Sequence, residues 1–293
     1  MRALARELGL EIRAVPGSGR GGRISRDDVK VYAKQLILAM EPGRVAPAPQ
    51  SAPALPDFSR WGEVAREPLT RIRRATAKNL AHAWNTVPHV TQFDRADITR
   101  LEAARRDFNK SAEAGTAKLT VTAVMLKLVA AALEQFPKFN ASLDLAADSI
   151  VYKKYVHIGV AVDTPRGLLV PVVRDVNGKP LLQVAAELGE LAVKARERKL
   201  KPDEMAGSCF TVSNLGGLGT TYFSPIVNWP EVAILGVGRA EIQAMQHEET
   251  FRPRLIVPLS LSYDHRVIDG ADAARFVRWV AEALEQPPPL DKS

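Results

Sequence analysis

Between Met40 and Arg66 the chain reads EPGRVAPAPQSAPALPDFSRWGEVA, and this stretch limits the possible fold more than any other feature. Proline has no amide hydrogen to donate and disfavours the helical conformation in the residue before it. A run so rich in proline and alanine is therefore expected to be an extended tether, roughly 3.1 Å per residue where it is polyproline-like. Such a tether separates independently folded units. The 293 residues are accordingly expected to divide into a small domain at 1–36, a linker at 37–66 and a large domain at 67–293.

The first segment has a short helical grammar of its own. Ala3, Leu4, Leu8 and Ile12 fall at helical spacing, and a glycine-rich loop follows from Pro16 to Arg23. Ser25 is placed as an N-cap, with Asp27 and Asp28 in the first turn and Val29, Tyr32, Ala33 and Leu36 behind. Two short helices and a loop near the lower size limit for independent folding are expected. The glycines at 17, 19 and 22 match a dinucleotide fingerprint, but no strand precedes them and no strand-helix-strand unit surrounds them, so that reading is set aside.

Charge is concentrated in the same segment. Eight Lys/Arg against four acids give residues 1–36 a net +4, residues 37–66 balance, and the remaining 227 residues carry only +3 of the total +7. This favours a local acidic partner surface over a whole-protein electrostatic role, and no nucleic-acid partner is expected. No apolar run reaches the roughly 18 residues of a membrane span. The N-terminus lacks the apolar stretch of a secretory signal, and the single Cys209 rules out an internal disulfide framework. A cytoplasmic protein without a membrane anchor is expected.

Beyond the tether, helical patterns at 70–85, 97–108 and 120–135 mix with strand-like runs at 155–163, 167–173, 209–214, 231–238 and 254–263, before a last helix from about Ala271 to Glu285. Interleaving of this kind predicts one α/β domain. Segment 120–135 is apolar nearly all round and is expected to be buried.

Two motifs carry chemistry. In Asp264-His265-Arg266-Val267-Ile268-Asp269-Gly270 a histidine follows a strand, where its side chain can reach a cleft. A neutral imidazole there accepts a thiol or hydroxyl proton near physiological pH. Asp269 can fix the loop and Gly270 can permit a tight turn; a capping aspartate with a surface histidine reads equally well. In Phe210-Thr211-Val212-Ser213-Asn214 a strand ends on a hydroxyl that could donate to a developing oxyanion. No G-x-S-x-G elbow surrounds Ser213, which argues against a nucleophilic serine.

DHRVIDG, preceded at 52 positions by the serine of FTVSN, closely resembles the signature of the dihydrolipoamide acyltransferases, the E2 subunits of 2-oxo acid dehydrogenase complexes. The resemblance continues through 88–105, 157–173 and 224–239, and residues 2–35 resemble the peripheral subunit-binding domain of the same enzymes. It implies an α/β catalytic domain with a mixed sheet, similar to chloramphenicol acetyltransferase, preceded by a small all-α domain. It also implies trimers with each active site between two subunits, and a 24-mer core as the larger family assembly. By the same resemblance His265 is the general base, Ser213 the oxyanion donor, and Asp269 an orienting carboxylate whose candidate ion-pair partner is Arg71. The matching coenzyme A positions are Arg105, Thr120, Asp163, Asn214 and Gly238. Arg2, Arg6, Arg20 and Arg23 take the positions that meet acidic residues of the E1 or E3 dehydrogenase. PHVTQFDRADIT resembles the acetyl-transferring pyruvate type, with succinyl or branched-chain transfer, a catalytically silent docking subunit and a free acetyltransferase as alternatives.

The sequence contains no Asp-Lys-Ala lipoyl turn, so a lipoyl arm is expected from elsewhere, and LEQPPPLDKS lacks the apolar last residues that join family trimers. Cys209 reads as a buried thiol rather than a metal ligand, and His247 as a solvated loop residue. His89 reads as either a cleft or a packing residue. Arg100, Arg105 and Arg106 read by residue pattern alone as a solvated helix face.

Overall fold

The computed structural model describes residues 2–19, 23–40, 54–113, 115–165 and 167–287. It comprises two compact units, Met1–Glu67 and Pro68–Ser293.

In the smaller unit α1 spans Arg2–Glu7, a single 3-10 turn spans Ile12–Ala14, and α2 spans Arg26–Met40. Its core is only Ala5, Val15 and Val29, flanked by the half-buried Leu4, Leu10, Ile12, Ile24 and Tyr32. So small a core needs help, and Asp28 supplies it. The Asp28 amide donates to Ser25 Oγ at 3.1 Å while the Ser25 amide donates back to the Asp28 carboxylate at 2.7 Å, a reciprocal cap on α2. The same carboxylate accepts from the Ser18 hydroxyl at 2.7 Å and the Ser18 amide at 3.1 Å, which ties the preceding loop to the helix. The Ser18 hydroxyl first, then the Ser25 and Ser18 amides, hold the Asp28 carboxyl well below its ordinary value of 3.8. Helix α2 runs through Ile37 to Met40, into the segment expected to be linker. These residues favour helix, and the first proline comes only at position 42.

The larger unit is built on one mixed sheet. Its strands are β1 His89–Asp97, β4 Ile158–Ala161, β5 Val172–Val173, β6 Phe210–Asn214, β7 Ala233–Val237, β8 Glu241–His247 and β9 Thr250–Asp264. The order is β1-β9-β7-β6-β4-β5, with β8 pairing β9. Strands β4, β6 and β7 run parallel and the other pairings are antiparallel. A separate hairpin joins β2 Ala141–Asp144 to β3 Ser149–Tyr152. The helices are α3 Arg71–Thr86, α4 Thr99–Ser111, α5 Val121–Gln135, α6 Leu181–Arg196 and α7 Gly270–Glu285.

Helix α5 carries nine buried residues, as its all-round apolar character predicts. Phe276 of α7 stacks on Phe139 at 4.1 Å and tilts against Phe210 of β6, which anchors the closing helix to the sheet. Cys209 is fully buried against the His157 carbonyl, and burial pushes its thiol up to about 11.

Several expectations need correction. The 167–173 run is strand only at Val172–Val173, apart from a single bridge between Val162 and Leu169; Pro171 has no amide to donate to a ladder. Strand β8 lies where no strand was expected, and His247 is its last backbone position rather than a loop residue. Its mostly polar side chains hide the alternation that marks a half-buried strand. Strand β1 and the β2–β3 hairpin were not anticipated either. No helix among the described residues is long and apolar enough to cross a membrane.

Candidate active site

His265 lies immediately beyond the last residue of β9, in a turn held on both sides. Asp264, 2% exposed, accepts the Arg266 amide at 3.0 Å, and the Arg266 guanidinium grips both carboxylate oxygens at 2.6 to 3.2 Å. The Asp264 carbonyl accepts from the amides of Val267 and Ile268, and the His265 amide donates to Pro88 at 3.1 Å. With its backbone clamped in this way, the imidazole stands exposed, 5.7 Å from the Tyr263 ring. Asp264 and Arg266 were missed as site-building residues. Their signal was an acid and a base placed at i−1 and i+1 of the histidine.

Asp269 occupies the N-cap position of α7 without a side-chain capping bond. It is exposed, and its carboxylate has no ion-pair or hydrogen-bond partner among the described residues. The expectation that Gly270 permits a tight turn fails: Gly270 has ordinary negative φ and nothing nearer than 3.9 Å to an added Cβ. Arg71 opens α3, exposed and likewise uncommitted, so within one chain Arg71 and Asp269 do not pair.

Ser213 sits in β6, 7% exposed, and its hydroxyl has no partner among the described residues. Sheet register fixes its distance from His265. Ser213 pairs with Gly236, and Gly236 pairs with Ser260. His265 lies five residues beyond Ser260, just past the end of β9, about 17 Å away along the strand direction. A base and an oxyanion donor must both lie about 3 Å from the reacting atoms. One chain alone therefore does not bring His265 and Ser213 to one reacting centre.

A cleft of 960 Å³ opens at the carboxyl ends of β4 and β6, between the start of α5 and the face of α6, a size typical of small-molecule sites. It brings together Thr120, Asp163 and Asn214, three of the five expected coenzyme A positions. Thr120 caps α5, accepting the Ala123 amide at 3.1 Å. Asn214 is fixed at both ends: its amide donates to the Thr122 hydroxyl at 2.9 Å, and its carbonyl accepts the Gly216 amide at 2.9 Å.

The other two positions do not line the cleft. Arg105 binds Glu102 at 2.8 Å and the Leu119 carbonyl at 3.0 Å, and the Glu102 carboxylate makes it still harder to deprotonate. Arg106 shares that carboxylate at 2.6 Å, so this helix face is ion-paired rather than simply solvated. Gly238 is required by packing, since a Cβ there would lie 1.9 Å from the Thr221 carbonyl oxygen. His89 packs instead of facing a substrate: its Nε2 accepts the Val227 amide at 3.0 Å, its ring stacks on Trp84, and burial lowers its pKa.

In the smaller unit Arg6 and Arg23 are exposed and take no part in an ion pair among the described residues. Arg20 and the side chain of Arg2 lie outside the described residues. No cluster of three or more His, Cys, Asp or Glu among the described residues is arranged to hold a metal.

His265 in its clamped turn just beyond β9, the Ser213 hydroxyl in β6 and the cleft at the carboxyl ends of β4 and β6 are thus presented separately by one chain. The chain belongs to the family described as 2-oxoacid dehydrogenases acyltransferase (catalytic domain), whose model matches residues 62–290, and an E3 binding domain model matches residues 2–30. It is 52% identical over 287 residues to the dihydrolipoyllysine-residue acetyltransferase component of the pyruvate dehydrogenase complex of Pseudomonas aeruginosa, covering 97% of this chain and 52% of that protein. The Azotobacter vinelandii protein of the same name is 50% identical, with 97% and 45% covered. The chain spans about half the length of these relatives.

Among solved structures, the Azotobacter vinelandii dihydrolipoamide acetyltransferase superposes with a TM-score of 0.77 at 53% identity, covering 80% of this chain and 97% of that one. That work concerns the role of a serine, a histidine and an asparagine in the catalytic mechanism. The cubic core of a pyruvate dehydrogenase multienzyme complex matches equally well, with a TM-score of 0.77 at 53% identity.

Proposed function

We propose that this chain transfers an acetyl group from an S-acetyldihydrolipoyl arm to coenzyme A, as a core subunit of a pyruvate dehydrogenase complex. The observation that carries the reading is the trio Ser213, His265 and Asp269. Its spacings equal those of the serine, histidine and asparagine in the Azotobacter vinelandii enzyme, with aspartate here in the third place.

The chemistry follows from the residues. His265 accepts the coenzyme A thiol proton, and the sulfur attacks the acetyl carbonyl. Ser213 donates to the carbonyl oxygen as it gains negative charge, a contact that strengthens only towards the tetrahedral state. Collapse breaks the carbon–sulfur bond to the arm, and the imidazolium returns its proton to the departing dithiol sulfur. The cleft beside Ser213 is of a size to take coenzyme A, with Thr120, Asp163 and Asn214 on its walls.

Because Ser213 lies level with Ser260, five positions short of His265, the reading requires His265 of one subunit to face Ser213 of its neighbour in a closed trimer. The uncommitted Arg71 and Asp269 are the pair proposed to steady that junction. A mixing experiment tests both the activity and the arrangement. His265→Ala and Ser213→Ala are each expected to be nearly inactive in acetyl transfer to coenzyme A from S-acetyldihydrolipoamide. Unfolded together and refolded as mixed trimers, they should recover about a quarter of the wild-type rate, since random head-to-tail assembly restores that share of complete sites. No recovery would place the site within one chain, and no wild-type transfer would remove the activity.

Residues 1–36 are proposed to hold a partner dehydrogenase, E1 or E3, with Arg6 and Arg23 among the contacts. The match of residues 2–30 to an E3 binding domain supports the E3 partner.

A further inference from the structure

The cations around the cleft fall into two groups. Along α6 and its flanks most are neutralised: Lys179 pairs with Glu187 at 2.6 Å, Lys194 with Glu204 at 2.8 Å and Lys199 with Glu197 at 2.8 Å. Across the cleft Arg105 is held by Glu102 at 2.8 Å. Among the described residues two basic side chains line the cleft, Arg196 in the last turn of α6 and Lys118 just before α5. Neither has a carboxylate partner among the described residues. Arg196 also lines a smaller neighbouring pocket of 210 Å³, so it stands on the rim shared by the two openings. Two carboxylates face the same space. Glu190 lies within the field of Lys194, which leaves Asp163 as the other acid there.

Exposed cations in proteins are cheap to leave unpaired in open solvent, but a guanidinium and an ammonium on two walls of one cleft concentrate positive potential inside it. A ligand that places a sulfur near Ser213 and extends into this cleft runs between the start of α5 and the face of α6. If that ligand is coenzyme A, its far end is a 3′-phosphorylated adenosine diphosphate, the most anionic part of the molecule. Arg105, matched by resemblance to a coenzyme A position, is already committed to Glu102 and Leu119.

We propose that Arg196, assisted by Lys118, is the phosphate-recognising element of the cleft, selecting a thiol that carries the nucleotide phosphates over the same pantetheine thiol without them. The inference rests on the proposed coenzyme A reading, and it is a statement about specificity rather than about the chemical step. Guanidinium suits the task, because its planar fork binds phosphate oxygens in pairs where an ammonium acts as a point charge.

The test uses the full chain in its assembled state and has two readouts. In acetyl transfer from S-acetyldihydrolipoamide, Arg196→Ala should lower the preference for coenzyme A over pantetheine, as a ratio of kcat/KM values, by about tenfold or more, the scale of losing a charge-assisted contact. Lys118→Ala should lower it less, and Arg196→Lys should retain part of the preference. An unchanged ratio in Arg196→Ala overturns the proposal. The second readout, calorimetric titration with 3′,5′-ADP, needs no turnover. Binding by the wild type that weakens about tenfold in Arg196→Ala supports the assignment even where no transfer is seen. Failure of the wild type to bind 3′,5′-ADP, or equal binding by both proteins, overturns it. Loss of transfer with 3′,5′-ADP binding intact counts against the proposed reaction and leaves the phosphate site standing.

Discussion

The two units of this chain solve the problem of stability in opposite ways. The larger buries whole strands: in β9, every residue from Ile256 to Asp264 is buried, and aromatic rings stack between α7 and the sheet. The smaller has three buried apolar residues and relies on one carboxylate that gathers three donors from Ser18 and Ser25. In the larger unit the groups proposed for chemistry are separable from those that hold the fold, since His265 and Asp269 are exposed and Ser213 has no bonded partner among the described residues. In the smaller unit a single carboxylate ties the loop to the helix, and the contacts proposed with a partner are left to the charges around it. A large core permits an active site to be mutated freely; a small one makes its polar clamp irreplaceable.

The sharpest way to break this contrast is at His265. His265→Ala should reduce acetyl transfer by about 10²–10⁴-fold or more, the usual loss when a general base is removed, while thermal unfolding of the larger unit stays where it was. A lowered midpoint in that variant would show that the imidazole is structural after all. Ser213→Ala should lower kcat by about 10²–10³-fold with little change in either KM, as for removal of an oxyanion donor. A raised KM for coenzyme A at constant kcat would make Ser213 a ground-state contact. Asp269 should respond more gently. Asp269→Asn is expected to stay within about tenfold of wild type, since an amide keeps the shape and one hydrogen-bonding oxygen, whereas Asp269→Ala should fall further. Equal losses in both would mean that charge, and so an ion pair with Arg71, is indispensable.

How much of this was legible beforehand depended on the kind of signal. Helix α5 declared itself because a segment apolar on every side can only be buried. Helix α2 declared its start through Ser25 and Asp28, but its end at Met40 was hidden by the prolines that follow. Strand β8 was invisible: it is exposed and largely polar, and only its pairing with β9 makes it a strand. At the site, the DHRVIDG and FTVSN motifs singled out His265 and Ser213, and three cleft residues, Thr120, Asp163 and Asn214, do converge. Arg105 and Gly238 do not line the cleft, for reasons that no linear motif contains. One is consumed by a glutamate a helical turn away, and the other is forced to be glycine by a carbonyl from Thr221. The roles of Asp264 and Arg266 were equally hidden, because a clamp is recognised only once the turn is seen.

In the smaller unit the polar clamp makes a pH prediction with a definite sign. The Asp28 carboxyl is held well below its ordinary 3.8 by the Ser18 and Ser25 donors. A carboxylate with a depressed folded pKa adds stability that is present above the unfolded value and is lost as pH falls through it towards the folded one. The smaller unit should therefore lose helical signal below about pH 4, ahead of any acid effect on its three apolar core residues. Asp28→Asn should lower its melting midpoint by several degrees at pH 7 and flatten the acid dependence, because the neutral amide cannot satisfy three donors as a carboxylate does. An Asp28→Asn variant that keeps the wild-type acid profile would assign the acid sensitivity to another group.

The smallest effect expected is at the surface charges of the same unit, and it bears on what that unit is for. Residues 1–36 carry +4 in net charge where the 227 residues after position 66 carry only +3. Arg6 and Arg23 stand exposed without internal ion pairs among the described residues, so reversing them should leave helix α2 and its Asp28 clamp intact. Contacts of exposed charges are individually weak, about 0.2–1 kcal/mol each, and act mostly on the rate of encounter. Arg6→Glu together with Arg23→Glu converts attraction to repulsion at two points, and should weaken binding of a purified dehydrogenase partner by about tenfold at low salt. The difference should shrink as salt rises, since the screening length falls from about 10 Å at 0.1 M to about 3 Å at 1 M. Acetyl transfer from free S-acetyldihydrolipoamide, proposed for the other unit, should not move. Calorimetric titration of the full chain and the double variant against E3 and E1, each at two salt concentrations, separates the outcomes. Equal affinity in both proteins, or an effect indifferent to salt, would reduce the basic segment to a solvated surface and leave the Ser18–Ser25–Asp28 clamp without a charged contact surface beside it.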